Sequence, residues 1–325
     1  MESATNTGDL VGEGTGGAPL GGADAARGAA TLPRPRSLSG VLRDYLALTK
    51  PRIILLLLVT TVATMFVADP AGPGLTTILW TVLGGYLSAG GAGAINQYLE
   101  RDRDARMERT RSRPLVAGRI RPLHGVVFGL GLGAAATIQL GLTVNDLAAA
   151  LAMCGFLGYV LVYTLWLKPR TPQNIVLGGA AGAMPPLVGW AAATGALSAQ
   201  ALWPFAIVFF WTPPHFWALA LLIKDDYAKA RIPMLPVARG EAATRRQILL
   251  YSIALVAFTI LPYATGLFDG VYVAAALLLG GAFVALAARL WLRPSHRAAV
   301  AVHLGSLAYL ALLFCAMAVD RAVVG

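Results

Sequence analysis

Beyond residue 50 the chain is built from successive runs of roughly 20 predominantly apolar residues, and few folds accept that pattern. A helix of about 20 residues crosses a hydrocarbon core about 30 Å thick. Lipid offers the backbone no hydrogen-bond partners, so a crossing segment must be a helix or part of a closed barrel. Barrel strands alternate polar and apolar over about ten residues, whereas 147–167 is apolar on every side. The pattern therefore predicts an all-α polytopic membrane protein with nine spans, near 53–69, 74–98, 123–142, 147–167, 174–194, 201–223, 247–267, 271–289 and 300–319. Only 13% of the residues are charged, about half the share of a soluble domain, which agrees with lipid as the main solvent.

A net charge of +10 invites a nucleic-acid reading, but the placement of the cations excludes it. With the amino terminus inside, every Lys and Arg except Arg321 falls on the inner side, and the outer connections near 70, 145, 198 and 269 carry none. Such a bias predicts a cytoplasmic amino terminus and an external carboxyl terminus, and the Arg, Ala and Gly richness suggests a bacterial cell membrane. Residues 1–44 are rich in Gly, Ala, Ser and Thr, carry Pro33 and Pro35, and read as a disordered cytoplasmic tail ahead of a membrane domain at 45–325. No signal-peptide core is evident there, so the first span is expected to direct insertion. Cys154 and Cys315 lie inside spans without a paired motif and are expected to be packing residues.

Chemistry is expected at the inner ends of the helices. An ion-coupled transporter needs charges within its spans, and these spans hold almost none. Acidic residues gather instead in two inner loops, one with Glu100, Asp102, Asp104 and Glu108, the other with Asp225, Asp226 and Glu241. Helical spacing sets Asn96, Glu100 and Asp104 in one line about 6 Å apart. A line of oxygen donors suits Mg²⁺, which bridges one or two carboxylates to a substrate phosphate. Carboxylates at a helix carboxyl end oppose the helix dipole, so cations should join them, either metal ions or the neighbouring Arg101, Arg103 and Arg106; a solvated loop of mixed charges is the competing reading. If Asp225 and Asp226 face the first cluster across a central cavity open to the cytoplasmic side, the pair would clamp a diphosphate, with Asn96, Glu100, Asp104 and Asp226 as metal ligands. Arg109 and Arg113, four residues apart, together with Lys168 and Lys224, are the candidate diphosphate-binding cations.

NQYLERDRDARMERTRSRPL at 96–115 resembles the first diphosphate motif of the UbiA superfamily of intramembrane prenyltransferases. LTKPRI at 48–53, YTLWLKPRTPQNIVLGGAAGAMPPLVGW at 163–190, WTPPHFWALAL at 211–221 and KDDYAKARIPMLPV at 224–237 narrow the likeness to the branch that acts on haem. The resemblance implies a nine-helix fold, Mg²⁺ as cofactor, farnesyl diphosphate as donor and the vinyl group of protohaem as acceptor. It also implies a place in making haem for terminal oxidases, with contact to haem A synthase or oxidase assembly proteins. On this reading His215 is the candidate haem-binding residue, eleven positions before Asp226 and so nearly on its helix face, although Pro213 and Pro214 disturb that alignment. Tyr98, Tyr163, Trp166 and Trp217 are candidates to face an allylic cation. Two departures from the superfamily pattern stand out: Glu100 in place of the usual Asp, and Leu221, Leu222, Lys229 and Ala230 where a second Asp would be spaced four from Asp225 or Asp226. A prenyltransferase with another aromatic acceptor, and a non-catalytic haem-handling protein or transporter, are the rival readings.

Overall fold

The computed structural model describes residues 37–324, so residues 1–36 of the expected tail lie outside the described residues. Among the described residues there is no strand, and nine helices are long and apolar enough to cross a membrane. They correspond to the nine predicted spans, with most ends displaced by only a few residues.

The chain opens on α1, Leu38–Thr49, whose first residues were expected in the tail. Among the ties that secure it, Tyr45 meets Phe128 edge-on at 5.0 Å, Arg119 donates from Nε to Asp44 at 2.9 Å, and Gln97 donates to the Ala47 and Leu48 carbonyls. Lys50 then adopts a left-handed conformation, φ 58°. The ring of Pro51 disfavours a right-handed helical residue before it, so α1 must end there and α2, Pro51–Ala68, begins on a proline that has no amide to leave unpaired.

α3 is Leu75–Leu99, α4 the single turn Arg101–Asp104 and α5 Pro122–Thr143. Contact between α3 and α5 is close because a Cβ on Gly91 would stand 2.6 Å from the Gly129 carbonyl oxygen, the small-residue packing that membrane helices favour. α6, Asp146–Leu157, runs on into a π-helical segment, Gly158–Leu167. The fifth span breaks at Ala183 into α7, Asn174–Gly182, and α8, Met184–Thr194, because Pro185 and Pro186 cannot donate back into the preceding turn. The halves pack differently: α7 lies on the π-helical segment, while α8 lies on α2 and α6. Gly189 permits the α8–α2 contact, since a Cβ there would fall 2.2 Å from the Thr61 carbonyl oxygen.

α9, Leu202–Leu222, is followed by α10, Lys224–Lys229, then α11, Leu235–Ala264, α12, Gly270–Leu292, and α13, His296–Val324. The seventh span starts earlier than expected because residues 238–246, although polar, are helical about a kink at Gly240, φ 80°. Each span packs on the next, α7 joins both the α6 side and α9, and α13 returns to α2 and α9, so the helices close into a ring. Leucines such as Leu142 and Leu278 point outward from it, as a lipid-facing surface requires. Cys154 and Cys315, expected to be packing residues, are also exposed and unpaired, so what they pack against is lipid, for which a thiol is apolar enough.

Candidate active site

The predicted ladder is intact. Glu100 leaves ideal helical geometry at the joint between α3 and α4, φ −95° and ψ 1°, but the four-residue hydrogen bonds continue through it. Glu100 N donates to Asn96 O at 3.0 Å and Asp104 N to Glu100 O at 2.8 Å, so all three side chains stay on one line. They are buried, with exposures of 1%, 3% and 1% for Asn96, Glu100 and Asp104, which removes the solvated-loop reading for these three.

Burial of two carboxylates is tolerable only because each has a cation. Lys168 Nζ lies 2.7 Å from Glu100 Oε2 and 2.5 Å from Oε1, and Arg113 Nη1 donates to Asp104 Oδ2 at 2.5 Å. Lys50 Nζ donates to Asn96 Oδ1 at 2.6 Å. The Asn96 amide is oriented from its other side, where Nδ2 donates to Thr164 Oγ1 at 3.1 Å and Thr164 in turn donates to the Tyr159 carbonyl. Lys168 is placed by the π-helical segment: its amide reaches back five residues to Tyr163 O at 2.9 Å.

Burial opposes ionisation of Glu100, yet Lys168, by charge and hydrogen bond, and Lys50 hold its carboxyl below the ordinary range. At Asp104 burial prevails over the opposing pull of Arg113, and the carboxyl lies above its usual value. Lys168 is disfavoured as an ammonium by burial but is held above the ordinary lysine value by Glu100. Lys50 is pushed down to about 7 by burial and then by the charge of Arg113.

The donor set fits a hard divalent cation. Asp104 Oδ1 is buried without a hydrogen-bond partner, so it holds free lone pairs one helical turn beyond Glu100. Two carboxylates and one amide are few ligands, and no three acidic, His or Cys side chains gather as a metal cage among the described residues. That poverty suits Mg²⁺, which keeps waters and takes substrate phosphate oxygens to complete its shell.

The second acidic cluster is arranged differently from the expectation. Asp226 accepts from the Glu108 and Arg109 amides, at 3.2 and 3.3 Å, and so fastens the loop after α4 to α10. Asp225 is exposed, and Lys224 is paired with Glu241. Arg109 is exposed while Arg113 is drawn in to Asp104, so the two arginines do not form one clamp. The irregular loop between them breaks the four-residue periodicity.

His215 lies on α9 against α13, its Nδ1 2.7 Å from Ser306 Oγ. Its partner is therefore a side chain of another helix. Pro213 and Pro214 do not interrupt α9, which ends at Leu222; Ile223, φ −124° and ψ 29°, separates it from the α10 turn that carries Asp226. Of the aromatic candidates, Tyr163 is buried with Lys168 Nζ 5.8 Å from its ring centre, and Trp217 is buried against Tyr251. Trp166 is 59% exposed, and Tyr98 carries Arg101 over its ring. Lys50, Tyr159, Thr164 and Tyr227 are near neighbours of the ladder that sequence reasoning passed over. Only Lys50 left a signal, as the lysine of LTKPRI, and inner-side charge bias explains that equally well.

The UbiA prenyltransferase family profile matches residues 57–318. A protein of Roseiflexus sp. (strain RS-1) named protoheme IX farnesyltransferase is 50% identical over 283 residues, which cover 87% of this chain and 53% of that protein. The chain thus spans about half the length of that relative. A protein of the same name from Azotobacter vinelandii is 50% identical over 292 residues, covering 90% of this chain and 98% of the other. Among solved structures, a UbiA homolog from Archaeoglobus fulgidus bound to DMAPP and Mg²⁺ superposes with a TM-score of 0.66 at 17% identity, over 87% of this chain and all of that one, a likeness of fold.

Proposed function

Because this chain belongs to the UbiA prenyltransferase family, we propose that it transfers a farnesyl group from farnesyl diphosphate to a vinyl group of protohaem, forming haem O. The observation that carries the reading is the buried line Asn96, Glu100, Asp104 with an uncommitted carboxylate oxygen, ringed by Lys50, Lys168 and Arg113. The acceptor comes from the relatives, which are 50% identical to this chain over the matched residues and are named for protohaem. The diphosphate and metal are supported by the Archaeoglobus homolog, which binds a prenyl diphosphate with Mg²⁺.

Asn96, Glu100 and Asp104 would hold Mg²⁺, which when bound supplies Lewis-acid neutralisation of the departing diphosphate. Cleavage of an allylic carbon–oxygen bond leaves charge on the diphosphate and on the farnesyl carbon. Arg113, Lys168 and Lys50 take the first, exchanging their present partners for phosphate oxygens at sites already desolvated. An Arg fork matches phosphate geometry, while the two lysines act as point charges. Tyr163 and Tyr159, ring centres 5.4 Å apart beside Lys168, offer aromatic faces to the second. The surrounding apolar helices keep water from the farnesyl cation until the vinyl group adds to it. The cation then left on the vinyl carbon next to the macrocycle takes the oxygen of one water, which releases a proton, and this gives the hydroxyethylfarnesyl side chain. Asp226 serves by fixing the loop that delivers Arg113, and in this reading His215 meets the haem iron. Arg109 and Lys224 stand ready at the rim for the incoming anion.

Charge bias sets the site at the cytoplasmic surface, with the amino terminus inside and the carboxyl terminus outside, and residues 45–325 together with the α1 turn before them as the transferase domain. The product would pass to haem A synthase or oxidase assembly proteins. The test is to incubate the purified protein with haem B, farnesyl diphosphate and Mg²⁺ and to seek hydroxyethylfarnesyl haem by mass. Recovery of unmodified haem alone overturns the assignment and turns attention to other aromatic acceptors.

A further inference from the structure

We infer that Ser306 is a positioning residue that fixes the tautomer of His215 and so decides which ring nitrogen is offered to haem iron; this rests on the protohaem reading. Ser306 is fully buried on α13. Its hydroxyl donates to the His303 carbonyl at 2.6 Å, the backward bond that serine makes within a helix. A hydroxyl has one proton, so toward His215 Nδ1, 2.7 Å away, Ser306 Oγ can only accept. The hydrogen-bond chain therefore assigns the proton of a neutral His215 to Nδ1 and leaves the lone pair on Nε2.

The ring is also held in place from both faces. Trp211 stacks on one side at 4.3 Å and 16°, and His303 on the other at 4.6 Å and 24°. Trp211 is itself tied to residue 306, its Nε1 donating to the Ser306 carbonyl at 2.7 Å. His303 leans on the His215 carbonyl at 3.5 Å, the outer limit of a hydrogen bond. Nε2 of His215 has no hydrogen-bond partner among the described residues, and the side chain is only partly buried. A histidine that ligates a metal usually donates its other ring N–H to a second group that sets tautomer and orientation. Ser306 stands in that relation to His215.

The test is spectroscopic. Full-length protein in detergent is titrated with ferric haem B, with binding followed in the Soret band and ligation by electron paramagnetic resonance. The wild type should give a histidine-ligated spectrum that His215→Ala loses. Ser306→Ala should weaken haem binding about 10- to 100-fold and alter the ligand field. Ser306→Thr, which restores a helix-bonded hydroxyl, should return both to wild-type values. Wild-type affinity and spectrum in Ser306→Ala overturn the inference, as does a threonine variant no better than alanine. A histidine-ligated spectrum that survives His215→Ala, or is absent from the wild type, overturns it too. Because haem O formation is read separately by mass, loss of the ligation assignment is distinguishable from loss of the transferase assignment.

Discussion

Lys168 Nζ touches both carboxylate oxygens of Glu100, at 2.7 and 2.5 Å, in a setting where the carboxylate is almost wholly removed from solvent. Each charge is tolerable because of the other, and the pair joins the end of the π-helical segment to the end of α3. Lys168→Met strands a buried carboxylate, which should cost about 3–5 kcal/mol and is expected to lower the melting temperature in detergent sharply. Adding Glu100→Gln should recover most of that stability but no farnesyl transfer. A double variant as unstable as the single one would separate the stability loss from this pair.

Asn96→Ala and Asp104→Ala remove oxygen donors from the ladder. Either variant should insert into membranes normally and lose about 100-fold or more of its turnover, the scale of losing a group that stabilises transition-state charge. Expression, detergent extraction and product mass measured together decide the point. Wild-type turnover in both would remove the metal site.

Asp226→Asn separates a loop fastener from a metal ligand. The asparagine oxygen still accepts one amide bond from the loop, so we expect a modest rise in KM for farnesyl diphosphate and a nearly unchanged kcat, whereas Asp226→Ala should raise KM further. Abolished turnover in Asp226→Asn, with the Mg²⁺ requirement shifted to higher concentration, would return Asp226 to the ligand set.

The pH dependence should report Lys50. Burial and Arg113 lower it to about 7 from the ordinary 10.5. Below pH 7 the free site already carries the ammonium, while above it the bound anion must draw in a proton. Donor affinity should therefore fall as pH rises from 7 toward 9, by up to about tenfold per unit. Lys50→Arg keeps its charge throughout and should flatten kcat/KM against pH; a slope unchanged in that variant would assign the titration elsewhere.

Gly189→Ala tests the α8–α2 contact. Its new methyl would meet the Thr61 carbonyl oxygen, a backbone atom that cannot swing aside, so the helices must part. A loss of about 1–3 kcal/mol is expected, read as a lower melting temperature with residual activity.

The nine spans were legible because lipid demands unbroken apolar length and tolerates few alternatives. Asn96, Glu100 and Asp104 were legible for a related reason: spacing by four survives the joint at Glu100, since the backbone bonds on either side continue. Nothing comparable marked α1, where Gly40, Arg43 and Asp44 interrupt a short apolar face whose partners, Phe128 and Arg119, lie far along the chain. The bonds of Asp226 to a pair of backbone amides were not legible, because residue type shows chemical capacity but not which group it meets. The His215–Ser306 pair, 91 positions apart, leaves no periodic trace at all.

The π-helical stretch Gly158–Leu167 uses more residues per turn than an ordinary helix, so it stores surplus chain just ahead of Lys168. Deleting one residue there would let the segment tighten, and the lysine would rotate away from its carboxylate although nothing in the pair itself had changed. Length in this stretch is thus as much a determinant of the reaction centre as composition is, and an alignment gap within it carries more meaning than a substitution.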